Sequence, residues 1–336
     1  MSARKRSRIS RTECLSALAG FVTLTIAFSA IMDARYPHWT DREYAARRTL
    51  ILQRVEEHPE RPVLAVLGSS RTGTGFVPEE MGPLFDADGR QVAVFNYSHR
   101  GAGPRLNLIQ LQRLLSDGIK PRWLLIELTT PFLASERMIF SDLSLGDVRA
   151  ILSHADESRY VRQPLIYRLE AVNRYRQGAL GEFAPAFVTG EQVRLRPYGG
   201  DDGWERPQNL SESRLRDLQE TIRGQYQKVM AKWCVDPKLA EVVHDTLRLC
   251  LENNIQPAIV LFPESTTFRG WYGPGTEDRM QAFLQQVRDK FAIPVFDART
   301  WMADDAFIDP HHLNEHGSVD FTRRMEQQII EPWIRP

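Results

Sequence analysis

Apolar residues along this chain fall into short unbroken runs rather than alternating ones. VLAVLG (63–68), QVAVFN (91–96), WLLIEL (123–128), AIVLF (258–262) and PVFDA (294–298) are dense in Val, Ile, Leu and Phe. Runs without a polar face predict strands buried on both sides, as in a parallel sheet. Helical text separates most of them, including RLNLIQLQRLLSDG (105–118) and MQAFLQQVRDKF (280–291). Strands alternating with helices predict a three-layer α/β/α fold with a five-stranded parallel sheet. Sites in such sheets form at the carboxyl ends of the strands.

A different pattern opens the chain. A basic segment, residues 1–13 with Arg4, Lys5, Arg6, Arg8 and Arg11, precedes 19 uncharged residues, 14–32. That is about the length of a membrane span, roughly 20 residues. The basic flank predicts a cytoplasmic N-terminus and an exterior or periplasmic remainder. A cleaved signal peptide is the rival, but Phe28 and Ala30 before Ile31 make a poor cleavage site. A buried helix is the third reading. Residues 33–60 are charged with helical spacing and predict a stalk or lead-in helix. Residues 61–330 then form the main domain, and residues 133–236, between the third and fourth strands, read as an inserted helical cap.

Composition narrows the function classes. The 336 residues are 42% hydrophobic, enough for a core, and the formal net charge is +0, so nothing global points to nucleic acid. Of the three cysteines, Cys234 and Cys250 flank a predicted helix, and both a disulfide and two unpaired thiols suit them. No Cys/His spacing predicts a metal site, and no cofactor is implied. In the insert, Arg159, Arg162, Arg168, Arg174 and Arg176 lie among Tyr160, Tyr167 and Tyr175. This stretch reads as a solvated helix face or as a contact for anionic lipid or polymer.

Two short segments carry the chemistry. VLAVLGSSRTGTGF (63–76) runs a buried strand into a Gly/Ser turn, and FIDPHHLNEHG (307–317) holds an Asp-x-x-His step before a helix start. A serine on a tight turn after a strand is held rigidly and exposed, as a nucleophile requires. An Asp beside a His fixes its tautomer and stabilises its charged form. Ser70, His312 and Asp309 thus predict a triad for acyl transfer or ester hydrolysis. The turn lacks the Lys of a phosphate loop. Asn314 reads as a helix N-cap and Gly317 as a close-packing point; His311 and His316 have the wrong spacing for the base.

These residues resemble blocks of the SGNH/GDSL hydrolase superfamily. Gly68-Ser69-Ser70 is similar to its Gly-Asp-Ser block, with serine in the middle. Asn96 to Gly101 is similar to its second block, which implies Gly101 N–H as an oxyanion donor beside the Ser70 amide. DPHHLNEHG (309–317) is similar to its Asp-x-x-His-Pro-Asn-x-x-Gly block, with Leu313 in place of proline. The third block departs from the family: ELTTPF (127–132) puts Pro131 where the oxyanion-donating Asn belongs, leaving the Thr129 or Thr130 hydroxyl as a substitute.

The resemblance implies the SGNH, flavodoxin-like fold. Its Gly-Ser-Ser form resembles the membrane-anchored branch linked to cell-envelope polysaccharide O-acylation. The expectation is a serine ester hydrolase or O-acyltransferase, held at the inner membrane through 14–32. It would act on an acylated polysaccharide or small acyl ester, with a membrane O-acyltransferase as a candidate partner. The other class is a catalytically weak or inactive polymer-binding or scaffold protein of the same fold. Arg71, Thr129, Thr130, Glu264 and Arg269 are further candidates for substrate contact, against the alternative of salt bridges and loop ordering.

Overall fold

The predicted strands form, and all are parallel. In a computed structural model, β1 (Val63–Leu67), β2 (Ala93–Asn96), β3 (Trp123–Glu127), β4 (Gln256–Leu261) and β5 (Val295–Asp297) line up in the order β2-β1-β3-β4-β5. The structure describes residues 10–35, 41–136, 175, 202–207 and 211–335. The basic-tyrosine stretch (Tyr175 excepted), most of the predicted cap and nearly all of the basic N-terminal tail lie outside the described residues. The chain divides into two compact units: residues 1–42 with 139–194, and residues 43–138 with 195–336.

In the first unit, α1 (Arg11–Arg35) covers the predicted span. Its Arg11–Met32 stretch is long and apolar enough to cross a membrane. Leu15, Leu18, Phe21, Leu24 and Ile31 are exposed, which suits a lipid environment better than water. The Tyr175 hydroxyl donates to the Ser29 carbonyl at 3.0 Å.

In the second unit, every residue of β1 is buried. Alternation along β1 divides its side chains between two cores. Val63, Ala65 and Leu67 pack with Leu111 of α4 (Pro104–Ser116), with Leu247 of a helix spanning Pro237–Glu252, and with Leu284 of one spanning Thr276–Phe291. Leu64 and Val66 pack on the opposite face with Phe76, Phe262 and Phe321. Those two apolar faces are why the strand text shows no alternation.

A helix lies within residues 33–60, the segment expected as a stalk or lead-in helix. α2 (Arg42–Glu57) is docked on the second unit from Glu43 onward. Ile51 is buried in the core, and Tyr44 and Arg48 both bond to Asp117 at the end of α4 (2.7 and 2.8 Å). Its charged sequence concealed this because several of those charges are bound by the domain. The cysteines are free; Cys250 is buried in the core, and burial pushes its thiol up to about 12.

Because β1 has β2 on one side and β3 on the other, the chain reverses direction across the sheet at β1. A crevice opens at the carboxyl end of such a strand, and Ser70 stands there.

Candidate active site

Ser70 is the first residue of a single-turn helix, α3 (Ser70–Gly75), whose N-cap Ser69 accepts from the Arg71 N–H. Gly68 makes the turn possible. A Cβ there would stand 2.5 Å from Glu127 Oε2 and closer still to Thr72 Oγ1. Gly68→Ala is therefore expected to cost about 1–3 kcal/mol by overpacking, read as a lower denaturation midpoint; an unchanged midpoint would show that the turn has slack.

Glu127, at the end of β3, holds this turn from below. Its carboxylate accepts from Ser69 N–H (2.8 Å), Ser69 Oγ (3.0 Å), Thr72 Oγ1 (2.6 Å) and Thr129 Oγ1 (2.9 Å). The sequence reading missed Glu127. Its signal was a charged residue ending a fully buried strand on the edge where sites form. Asn96 ties the far end of α3 by donating from Nδ2 to the carbonyls of Thr72 (2.9 Å) and Phe76 (2.7 Å).

The imidazole that meets Ser70 comes from the turn after β5. Phe307 and Leu313 form an antiparallel bridge, and Ile308 N–H donates to the His312 carbonyl. Inside this loop one oxygen of Asp309 accepts the His311 and His312 N–H groups (2.9 and 2.8 Å). Its other oxygen is 2.7 Å from His312 Nδ1, and His312 Nε2 is 2.8 Å from Ser70 Oγ. Burial alone would raise the Asp309 carboxyl; the neighbouring imidazoles and hydrogen bonds outweigh it and hold the group well below its ordinary range. Asn314 caps the next helix (Glu315–Met325) by accepting from Gly317 N–H, and Gly317 packs against the Ala306 carbonyl. His316 is exposed beside Asp320. His311 is buried against Phe268 and Tyr226, and burial pushes its imidazole well below the usual range.

Gly101 lies in the turn after β2, with φ +70°. This loop is bonded to β1 and the Ser70 turn: Tyr97 N–H donates to Val66 O (2.9 Å) and His99 N–H to Gly68 O (2.8 Å). The N–H groups of Gly103, Arg105 and Leu106 go instead to the buried Glu136 carboxylate.

Four of the proposed substrate contacts are interior groups. Arg71 is buried and donates to the carbonyls of Phe262 and Pro263, both at 2.7 Å, between Glu127 (3.7 Å) and Glu264 (3.6 Å). Thr129 donates to Glu127 and Thr130 to Glu264 (3.3 Å), so neither hydroxyl proton is left for an oxyanion. Glu264 also accepts from Tyr272 (2.6 Å), and burial raises its carboxyl. These groups weld β3, β4 and α3 together under Ser70. Arg269 is half-buried at the end of a short helix, Thr266–Arg269, after β4.

Asp309, His311 and His312 are the one group among the described residues whose donor atoms sit close enough for a metal ion. An ion there would have to break the Asp309–His312 hydrogen bond. The arrangement as it stands suits proton transfer from a hydroxyl.

A serine after β1 and an Asp-x-x-His turn after β5 of a five-stranded parallel sheet is the arrangement that the SGNH/GDSL resemblance implies. The family described as "Protein of unknown function (DUF1574)" matches residues 30–328. The chain belongs to that family. No curated protein matches it. Solved structures similar to it include a presumed acylhydrolase from Bacteroides fragilis, at 12% identity and TM-score 0.39, covering 85% of this chain and 98% of that one. Another is the psychrotrophic esterase EstA from a Pseudoalteromonas species, inhibited by monoethylphosphonate, at 12% identity and TM-score 0.38, covering 81% of this chain and 98% of that one.

Proposed function

We propose that this protein is a serine ester hydrolase or O-acyltransferase of the SGNH type, anchored through residues 14–32 with its catalytic unit outside the cytoplasm, and acting on acyl groups of a cell-envelope polysaccharide. The observation that carries it is the continuous Ser70–His312–Asp309 hydrogen-bond chain, 2.8 and 2.7 Å, assembled from opposite ends of the sequence.

With Nδ1–H donated to Asp309, His312 presents an unprotonated Nε2 to the Ser70 hydroxyl. It takes that proton as Ser70 Oγ attacks the acyl carbonyl. The Ser70 and Gly101 N–H groups receive the oxyanion; one such donor is worth about 3 kcal/mol. Collapse of the tetrahedral intermediate expels the alcohol, which takes the proton from His312. The acyl-enzyme then passes its acyl group to water or to a sugar hydroxyl, by the same proton route in reverse.

A cleft of about 610 Å³ borders Asp309 and Pro310, between Trp271, Ser265 and the polar side chains of the helix spanning Glu212–Ala231, Arg216 and Arg223 among them, and neither Ser70 nor His312 lines it. Its volume is within the range of small-ligand sites, about 300–1,000 Å³.

The test is labelling of the full chain with a fluorophosphonate, read by intact mass, followed by acetate release from an acetylated polysaccharide. The expected result is one adduct on Ser70, absent in Ser70→Ala, with acetate released only by the wild type. The inward-turned Thr129 and Thr130 hydroxyls favour a second reading, a weak or inactive scaffold partner of a membrane O-acyltransferase. A folded protein that takes no adduct would establish that reading instead.

A further inference from the structure

GDDGWER (200–206) has no place in the triad, yet its described part binds both halves of the proposed oxyanion hole. Asp202 O accepts from Asn96 N–H at the edge strand (2.8 Å). Trp204 Nε1 donates to Thr74 O (2.9 Å) and Glu205 N–H to Gly73 O (2.8 Å), so the segment closes the carboxyl end of the helix that begins at Ser70. Gly203 has φ +85°, and a Cβ there would collide with the Asn96 carbonyl.

Charge completes the attachment. Arg47, fully buried on α2, donates to the carbonyls of Asn96 (3.0 Å) and Gly203 and to one oxygen of Glu205 (2.7 Å). The other Glu205 oxygen takes the Arg100 guanidinium (2.6 Å), and Arg100 N–H donates to Glu43 (2.9 Å). Ion pairs of this kind contribute little net stability, because desolvation of the buried Arg47 side and solvent screening on the Arg100 side offset their attraction. Their directional hydrogen bonds, however, fix geometry. This triad joins α2, the returning end of the insertion and the Tyr97–Gly101 loop.

We propose that Glu205 is a positioning residue for acyl transfer: through Arg100 and Arg47 it locks the Gly101 loop against the Ser70 helix, so that the two backbone donors converge on one oxyanion. This rests on the acyl-transfer reading above. A displacement of about 1 Å in such a site costs on the order of 100-fold in rate.

The experiment uses the full chain in detergent, as wild type, Glu205→Gln, Arg100→Ala and Arg100→Lys. Arg100 is partly exposed, so its replacement leaves the core packed. Turnover of p-nitrophenyl acetate, thermal midpoint, and hydrogen exchange at residues 70–76 and 97–102 are read together. Glu205→Gln and Arg100→Ala are expected to lower kcat about 10- to 100-fold with KM within threefold and the midpoint within a few degrees. Exchange rises in both segments, and Arg100→Lys recovers part of kcat. Unchanged kcat in both folded variants, or faster exchange in the 97–102 loop alone, overturns the proposal. A wild type with no esterase activity and no fluorophosphonate adduct sinks the acyl-transfer reading; the exchange data then still decide whether the two segments are locked together.

Discussion

His312→Ala is expected to lose acyl-transfer activity by a factor on the order of 10⁴–10⁶ while remaining folded. The imidazole is the sole side chain shown accepting from Ser70 Oγ among the described residues, and no other described histidine reaches it. Without it the serine proton has no acceptor of suitable basicity, and the leaving alkoxide has no acid. Members of such a unit act together, so removal of the base costs nearly as much as removal of the whole unit. The side chain is about one-fifth exposed and sits at the rim of the loop, so a large cavity penalty does not arise. The checks are kcat/KM for a p-nitrophenyl ester, fluorophosphonate labelling, and the denaturation midpoint. Retained labelling at the wild-type rate would assign Ser70 activation to some other group and remove His312 from the mechanism.

Asp309→Asn is expected to lower kcat by about 10⁴. An amide cannot accept the Nδ1–H as a carboxylate does, so the imidazole loses its preferred tautomer and the stabilisation of its charged form. The same carboxylate predicts a pH effect. Its folded value is depressed, so its stabilising contribution is complete above roughly pH 4, where the unfolded group ionises. That contribution is lost as pH falls through the folded value. The midpoint difference between wild type and Asp309→Asn should therefore narrow as pH is lowered from 7 toward 3. A difference that widens toward acid would contradict the depressed carboxyl.

Legibility in the sequence followed how local the physics is. The five strands were readable to within a few residues, because burial on both faces removes polar residues from each run. Gly68, Ser70, Asp309, His312 and Asn314 were readable because a turn, a helix cap and an i, i+3 pair are local constraints on residue type. Glu127 and Glu205 were not readable as site supports. Their partners, Ser69 and Thr72 for one and Arg47 and Arg100 for the other, are far away in sequence. Arg71, Thr129, Thr130 and Glu264 illustrate the converse: polar residues beside Ser70 suggest substrate contact in the text, whereas folding buries them among carboxylates and backbone carbonyls. The charged text of α2 likewise left open a stalk or a lead-in helix, because its partner Asp117 is far away in sequence.

The chain by itself determined the α/β layering, the apolar N-terminal segment and the residue types available for a Ser–His–Asp relay. Each depends on hydropathy or on a turn only a few residues long. The tertiary structure alone decided that Ser70 and His312, 242 positions apart, meet at 2.8 Å. It also decided that a buried carboxylate, Glu127, holds the turn that presents Ser70. Such contacts depend on strand order and crossover, and the free energy of bringing distant segments together leaves no periodic trace in the text.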